Sequence, residues 1–199
     1  MLTSEEKTVK RIFDIVFSAA GIYLTCWIMV LAWIIASLET KSNGLFMQER
    51  IGKNAQPFLI FKIKTMKRIE GLETTVTTSE DMRITKSGKF FRKFKIDELP
   101  QLFNILFGSM SFVGPRPDVA GFADKLEGEE RDILSLRPGI TGPATIKYKD
   151  EEKILAREEN AEKYNKEVIW PDKVKINFEY MKSWSLKKDI IYIIRTVLG

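Results

Sequence analysis

The chain has 199 residues, a formal net charge of +5 and no histidine. This length suits one compact domain, and the positive charge favours anionic partners such as nucleic acid, anionic lipid or phosphorylated molecules. Without histidine, Ser-His-Asp and Cys-His catalysis and histidine-bound zinc are excluded, and the lone cysteine, Cys26, excludes internal disulfides and cysteine-cluster metal sites. Any chemistry must therefore use carboxylates, lysine, arginine, hydroxyl groups or a hard cation bound by oxygen.

An uncharged apolar segment, residues 15–38, contains no proline. As a helix it would extend roughly 36 Å, enough for a hydrocarbon core of about 30 Å. Its length, and the lack of a clear small-residue cleavage pattern after it, argue against a cleaved signal peptide. The segment predicts a membrane-associated helix within residues 1–42, followed by a second domain over residues 43–199.

Basic residues flank the apolar segment on both sides. They are Lys7, Lys10 and Arg11 before it, and Lys41, Arg50, Lys53, Lys62, Lys64, Lys67 and Arg68 after it. Because basic flanks favour the cytoplasm, a single crossing would place one of them outside. A re-entrant helix satisfies both, with the hydroxyls of Ser18 or Thr25 available to backbone groups that a bend near Gly21 would free. A true span stays open as the alternative.

Two short strands are predicted next, joined by a turn at Gly52, Lys53 and Asn54. In the second strand Lys62 and Lys64 share one face, where they are either solvated or bind an anion. Residues 70–80 are polar and rich in threonine, which predicts a loop.

A basic stripe precedes two adjacent carboxylates, Asp97 and Glu98. The stripe predicts a short helix with Ser87 as its N-cap and separate basic and apolar faces. Its members are Arg83, Lys86, Lys89, Arg92, Lys93 and Lys95. Apolar residues from Leu99 to Leu106, ending at Gly108, predict a second helix, so Asp97 lies at or next to an N-cap.

The carboxylate pair has two interpretations. Asp97 could simply cap the helix, which contributes about 0.5–2 kcal/mol and needs no catalytic role. Alternatively, a helix N-terminus surrounded by cations is a phosphate site, where the cations would lower the pKa of Asp97 and keep it ionised as a nucleophile. Glu98 would then offer an oxygen ligand for Mg²⁺, which binds few carboxylates and several phosphate oxygens.

Two rigid turns and three further helices complete the chain. Arg116 lies between two prolines, in a position to contact phosphate through two of its guanidinium N–H groups. Arg137 lies in a similar turn, where an ion pair with a carboxylate is the favoured interpretation. Residues 149–167 predict one charged surface helix, and residues 175–199 predict two more, the last of which suits a core or a membrane interface equally well.

Five motifs together resemble the bacterial sugar transferases, also called monotopic phosphoglycosyl transferases, in their minimal catalytic form. They are "KRIFDIVFSAAGIYLT", "FKIKTM", "DELPQLFNILFGSMSFVGPRP", "RPGITG" and "YMKSWSLKKDI". The resemblance covers nearly the whole chain, and the third motif is the most specific. The chain departs from the family pattern at two places. Cys26 and Trp27 stand where many members have the Ser-Pro pair that breaks the membrane helix, and the residues after "RPGITG" also differ.

The resemblance implies an α+β, mostly helical fold with a re-entrant membrane helix, interfacial amphipathic helices and a catalytic domain on the cytoplasmic face of the bacterial inner membrane. The implied reaction moves a sugar phosphate from a UDP-sugar to polyprenol phosphate and releases UMP. Asp97 is implied as the covalent nucleophile, Glu98 as the Mg²⁺ ligand, and Lys62, Arg92 and Arg116 as phosphate-binding cations. Lys64, on the same face as Lys62, is added to that set with weaker support.

Partners implied in the same way are the donor, the lipid acceptor, membrane phospholipid and a second copy of the chain as a homodimer, but no nucleic acid. The competing hypothesis is a membrane-tethered module without enzymatic activity, whose basic stripe binds anionic lipid or nucleic acid.

Overall fold

The computed structural model describes residues 2–67 and 81–198. Arg68 and the loop predicted over residues 70–80 lie outside these ranges. The first element is a helix of 37 residues, α1 (Ser4–Thr40), which begins at a capping box formed by Thr3 and Glu6 and ends at Lys41 in the left-handed conformation. By length and composition α1 is able to cross a membrane.

One face of α1 is buried along much of its length. The buried positions form two groups with a spacing of three or four residues within each: Lys10, Asp14 and Ser18, then Met29, Ala32 and Ala36. The 11 positions from Ser18 to Met29 make about three turns, so both groups lie on one helix face. Other faces expose large apolar side chains, including Tyr23 at 81% and Leu24 at 67% of their accessible surface. Helix α1 is therefore packed against the rest of the chain on one side and apolar on the surface it leaves open.

An antiparallel hairpin follows α1. Strand β1 (Leu45–Ile51) pairs with β2 (Pro57–Ile63), with Leu45 opposite Ile63 and Ile51 opposite Pro57. The connection is a 3₁₀ turn, Lys53–Ala55, in which Asn54 adopts a positive φ of 56°. The predicted pair of strands and the position of their turn are confirmed.

Two helices and a short strand come next: α2 (Lys86–Lys93), α3 (Gln101–Phe107) and β3 (Ser111–Val113). The N-cap of α2 is Thr85, whose hydroxyl accepts a hydrogen bond from Gly88 N at 2.9 Å. Ser87 was the expected cap, but its hydroxyl instead bonds the carboxylate of Glu39 and so joins α2 to the end of α1. Helix α3 ends at Gly108, as predicted, with a φ of 90° that favours glycine.

The C-terminal part is almost entirely helical. After a 3₁₀ segment, Gly128–Ser135, strand β4 (Gly139–Thr141) pairs in parallel with β3. The helices that follow are α4 (Pro143–Lys147), α5 (Glu151–Leu155), α6 (Ala161–Tyr164), α7 (Trp170–Lys182) and α8 (Leu186–Leu198), with a π-helical turn, Asn165–Ile169, before α7. The prediction of one helix over residues 149–167 is wrong, because Asn160 caps a new helix by accepting from Lys163 N at 2.9 Å.

A buried polar network ties the first helix to the last. Asp189 of α8 accepts hydrogen bonds from Lys10 Nζ at 2.5 Å, from the Tyr180 hydroxyl at 2.7 Å and from Trp184 Nε1 at 3.0 Å. Lys10 and Asp189 are both buried, so the ion pair is shielded from water. The α+β, mostly helical fold is confirmed, whereas the division into residues 1–42 and 43–199 stays a prediction.

Candidate active site

Asp97 is the buried residue of a 3₁₀ turn, Ile96–Glu98, between α2 and α3. The turn follows Lys95, whose left-handed φ of 56° reverses the chain at the end of α2. Asp97 is 9% exposed, and its Oδ1 has no hydrogen-bond partner among the residues that the structure describes. The helix-cap interpretation loses its physical basis, because the N-cap of α3 is Pro100 and no side-chain cap is formed there.

Glu98 faces Lys62 on strand β2. Its Oε1 lies 3.4 Å from Lys62 Nζ, and both side chains are largely buried. Burial alone would raise the pKa of Glu98, but the net shift is downward, because Lys62, Arg116 and Lys95 surround the carboxylate with positive charge. Glu98 is therefore held in its ionised form, as a ligand for a cation requires.

The pKa of Asp97 moves in the opposite direction. Burial raises it, the neighbouring charge of Glu98 raises it further, and Lys62, Lys95 and Arg92 only partly offset these effects. The expectation that the surrounding cations produce a net lowering was wrong, because it took no account of burial. A raised pKa makes the carboxylate more basic, which suits a nucleophile better than a helix cap.

Strand β2 is fixed against α3 by one buried amide. Asn104 Oδ1 accepts from Phe61 N at 2.9 Å, and its Nδ2 donates to Leu59 O at 2.7 Å. These two bonds fix the backbone of β2 at Leu59 and Phe61. Lys62 is the next residue, so its position is fixed with them. Nothing in the sequence pattern indicated Asn104, since its partners lie more than 40 residues earlier in the chain.

The other predicted cations occupy different positions. Arg92 Nε donates to Thr65 Oγ1 at 2.9 Å, and its charge acts on Asp97. Lys64 Nζ donates instead to Ser42 Oγ at 2.9 Å, near the end of α1. The structure thus brings Lys62 and Arg92 to the carboxylate pair, and it gives Lys64 a partner in the connection after α1.

Arg116 is placed by the pairing of the two Pro-containing turns. Gly114 N donates to Thr141 O at 2.9 Å and Gly139 N donates to Pro115 O at 2.8 Å, which locks the backbone on both sides of the arginine. The Arg116 side chain is exposed, and its charge acts on both Glu98 and Asp118.

Arg137 makes a different contact from the expected ion pair with a carboxylate: its Nε donates to the backbone oxygen of Gly108 at 2.7 Å. The carbonyl group at the end of α3 is thereby satisfied by a side chain from the turn before β4. Arg137 is a structural residue at this position.

The donor set around the pair suits a hard cation that takes part of its coordination from a substrate. No group of three or more His, Cys, Asp or Glu side chains forms a metal site within the described ranges 2–67 and 81–198. Two adjacent carboxylates, one with a buried oxygen that has no partner in the described part of the chain, nevertheless fit Mg²⁺, because this ion commonly uses one or two carboxylates, water and phosphate oxygens.

The family model of the bacterial sugar transferases matches residues 5–199. The chain therefore belongs to this family, which confirms the resemblance and the prediction of an enzyme of the phosphoglycosyl transferase class. Its motifs, including the carboxylate pair and the Pro-Arg-Pro turn, fall within the matched residues.

Three curated relatives illustrate the similarity. A putative undecaprenyl-phosphate N-acetylgalactosaminyl 1-phosphate transferase of Bacillus subtilis is 38% identical over 64% of this chain and 74% of its own length. A UDP-N-acetylgalactosamine-undecaprenyl-phosphate N-acetylgalactosaminephosphotransferase of Aeromonas hydrophila is 32% identical over 95% of this chain but only 43% of its own. A UDP-glucose:undecaprenyl-phosphate glucose-1-phosphate transferase of Caulobacter vibrioides is 32% identical over 94% and 68%. The chain thus spans less than half the length of the Aeromonas relative.

Proposed function

We propose that this protein transfers a sugar 1-phosphate from a UDP-sugar to a polyprenol phosphate, releasing UMP and forming a polyprenol-diphosphate-sugar. This would be the first membrane step in assembling a glycoconjugate. The observation that carries the proposal is Asp97 itself, a buried carboxylate with one oxygen that no described residue bonds. It lies next to an ionised Glu98 and close enough to Lys62, Lys95 and Arg92 for their charges to act on it. The names of the relatives from Aeromonas hydrophila and Caulobacter vibrioides support a UDP-sugar donor and an undecaprenyl-phosphate acceptor.

The first proposed step forms a covalent aspartyl phosphosugar. An oxygen of the Asp97 carboxylate attacks the β-phosphorus of the donor, and the bond from that phosphorus to the bridging oxygen breaks. The bridging oxygen keeps the electron pair and leaves with UMP. Lys62, Arg92 and Arg116 supply positive charge for the diphosphate, where negative charge collects in the transition state.

The second proposed step regenerates the enzyme. An oxygen of the polyprenol phosphate attacks the same phosphorus, and the Asp97 carboxylate departs as the leaving group. Dividing the transfer into two displacements lets one buried nucleophile serve two substrates that are themselves weak nucleophiles. No general base is required when each attack is made by an ionised oxygen, first that of the Asp97 carboxylate and then that of the lipid phosphate.

Glu98 is the residue that would hold Mg²⁺, with Asp97 beside it. When bound, the ion would supply positive charge to the diphosphate oxygens and ease departure of UMP. The role of this chain is to keep Glu98 ionised through Lys62 and Arg116 while Asp97 stays the more basic of the two carboxylates.

The proposed membrane arrangement keeps both ends of α1 on the cytoplasmic face. Support comes from contacts at each end: Lys10 bonds Asp189 of α8, whereas Glu39 bonds Ser87 of α2. Both partners belong to the part of the chain that follows α1. If α1 crossed the bilayer completely, its two ends would lie on opposite sides, and one of these contacts would require that part of the chain to lie across the membrane. In this re-entrant arrangement the exposed apolar surface of α1 contacts phospholipid.

The amphipathic helices would lie at the same membrane surface. Helix α8 exposes a set of apolar side chains along one stretch, namely Ile190, Ile191, Ile194, Val197 and Leu198. Helix α2 leaves Phe90 half exposed, and Phe94 directly after it is 57% exposed. This position would bring the polyprenol phosphate head group to the depth of the carboxylate pair.

The proposal is tested by UMP release. The intact chain in nanodiscs would be incubated with Mg²⁺, undecaprenyl phosphate and UDP-glucose, UDP-N-acetylgalactosamine or other UDP-sugars. We expect one donor to give UMP and a lipid product, with a loss of roughly a thousandfold or more in Asp97→Asn, whose amide is not a nucleophile. Asp124→Asn, an exchange of the same kind outside the site, is the matched control. Equal turnover by Asp97→Asn and wild type would contradict the proposed role of Asp97.

A further inference from the structure

One pocket is lined partly by Arg116, but by neither Asp97 nor Glu98. Its walls include Arg116 and Asp118 after β3, Trp170 and Asn177 of α7, and the apolar side chains Ile133 and Leu136. Trp170 and Asn177 lie seven residues apart, two turns along one face of α7. Arg116 therefore borders the pocket and also acts on Glu98, so a ligand here would adjoin the diphosphate site.

Asn177 is the unusual member of this pocket. It is 6% exposed, yet its Oδ1 finds no hydrogen-bond partner in the part of the chain that the structure describes. A buried amide oxygen without a partner is unfavourable, and such groups are rare unless a ligand or an ordered water completes them. The position on α7 thus retains a polar side chain that the fold itself does not use.

The lining favours a flat, mostly apolar ligand over a sugar. A hexose carries a hydroxyl on most of its carbons and needs many donors and acceptors, whereas this pocket offers one amide, one carboxylate and one guanidinium among apolar walls. The indole of Trp170 packs edge-on against Phe122, with ring centroids 5.5 Å apart, and forms part of a firm apolar wall. A nucleobase has two apolar faces and only a few polar atoms at its edge.

We propose that this pocket binds the uracil base of the nucleotide donor, with Asn177 paired to the imide edge of the base and Arg116 contacting the attached diphosphate. This inference rests on the proposed function, which supplies the nucleotide. A primary amide is matched to that edge, since its oxygen accepts from the ring N3–H while its NH₂ group donates to a ring carbonyl.

The test measures binding of UMP without turnover. Dissociation constants for UMP would be obtained by calorimetry on the intact chain in nanodiscs, for wild type, Asn177→Leu and the control Asn165→Leu, whose side chain is outside the pocket. We expect Asn177→Leu to weaken UMP binding about tenfold or more, and the control to leave it unchanged. Binding of glucose 1-phosphate, which carries phosphate and sugar but no base, should not change in either variant.

Two further measurements guard against misfolding. Asn177→Leu should unfold at the same temperature as wild type or a higher one in the absence of nucleotide, because it removes an unpaired buried polar group. Ala123→Leu, which narrows the pocket from another of its walls, should weaken UMP binding as well.

Unchanged UMP affinity in both pocket variants would overturn the proposal and leave Asn177 with a buried water as its partner. Loss of glucose 1-phosphate affinity alone would also overturn it and would assign the pocket to the sugar. A chain that binds UMP through Asn177 but forms no lipid product would instead contradict the proposed reaction and leave the pocket assignment standing.

Discussion

The two adjacent carboxylates, Asp97 and Glu98, differ because of what surrounds each one. Glu98 lies 3.4 Å from Lys62 and its pKa is lowered, whereas Asp97 is buried, borders the charge of Glu98 and has its pKa raised. One backbone turn therefore presents an ionised ligand beside a more basic nucleophile. Pairs of titratable groups whose environments separate their pKa values in this way commonly mark a division of roles at an active site.

This arrangement predicts a specific pH effect for Lys62→Met. Removing the cation takes away the largest effect that opposes the raised pKa of Asp97, so that pKa should rise further. Only the ionised form of Asp97 attacks. As the pH is lowered, Lys62→Met should therefore lose activity at a higher pH than wild type does. The measurement is the acid limb of kcat/KM for UMP release, which we expect to move upward in Lys62→Met.

The matched control is Lys64→Met, two residues further along the chain and just after the end of β2, where the lysine donates to Ser42. Its acid limb should coincide with that of wild type. A shift of equal size in both variants would mean that net charge, and not the position of Lys62, sets the pH profile.

For single residues, the resemblance named candidates but did not give the ionisation state of each. In the structure the charges of Lys62 and Arg92 act on Asp97, and those of Lys62 and Arg116 act on Glu98. The roles of these residues stay predictions. The pKa of Asp97 depends on burial, which no local pattern of charges reveals. Asn104 was missed for a similar reason, because a lone asparagine in a helix gives no sign of bonding a distant strand.

Among the contacts between secondary-structure elements, the one between α1 and α8 is the easiest to test by mutation. The carboxylate of Asp189 is 1% exposed and receives Lys10 Nζ, the Tyr180 hydroxyl and Trp184 Nε1. Breaking one half of such a buried pair leaves an uncompensated charge, which is more damaging than removing both halves.

Lys10→Met should therefore lower the free energy of unfolding by about 3–5 kcal/mol. The double variant Lys10→Met with Asp189→Leu should recover a large part of that loss, since no buried charge then lacks its partner. Chemical denaturation in a mild detergent gives both values. Additive losses in the double variant would show that Lys10 and Asp189 do not act as a pair.

Regular elements were predictable where a periodic pattern coincided with a strong end signal. The hairpin turn at Asn54 and the end of α3 at Gly108 are of this kind. The region 149–167 failed because its charges continue at helical spacing through Asn160, which starts a new helix. Thr85 replaced Ser87 as a cap because Ser87 is occupied by Glu39 of α1, a tertiary contact beyond the reach of local rules.

For the molecule as a whole, α1 determines how the chain meets the membrane. Its two ends contact the later part of the chain, and large side chains such as Tyr23 and Trp27 are exposed between them. A re-entrant arrangement predicts that residues before and after α1 face the same compartment.

Cysteine labelling in spheroplasts would test this prediction. In a Cys26→Ser background, Ser4→Cys before the apolar segment and Lys187→Cys in α8 should both resist a membrane-impermeant maleimide until the cells are opened. Labelling of Ser4→Cys alone in intact spheroplasts would establish a complete crossing instead. Lys187→Cys serves as the internal control for the catalytic domain.

The most direct measurement asks whether UMP appears before the acceptor is present. With Mg²⁺ and the productive UDP-sugar but no polyprenol phosphate, we expect a burst of about one UMP per enzyme, because covalent transfer to an enzyme residue precedes acceptor attack. Mass spectrometry should find one sugar phosphate on the peptide that carries Asp97, and none on Asp97→Asn. UMP release that depends strictly on the acceptor, with no modified peptide, would contradict the covalent mechanism and indicate direct transfer between the two substrates.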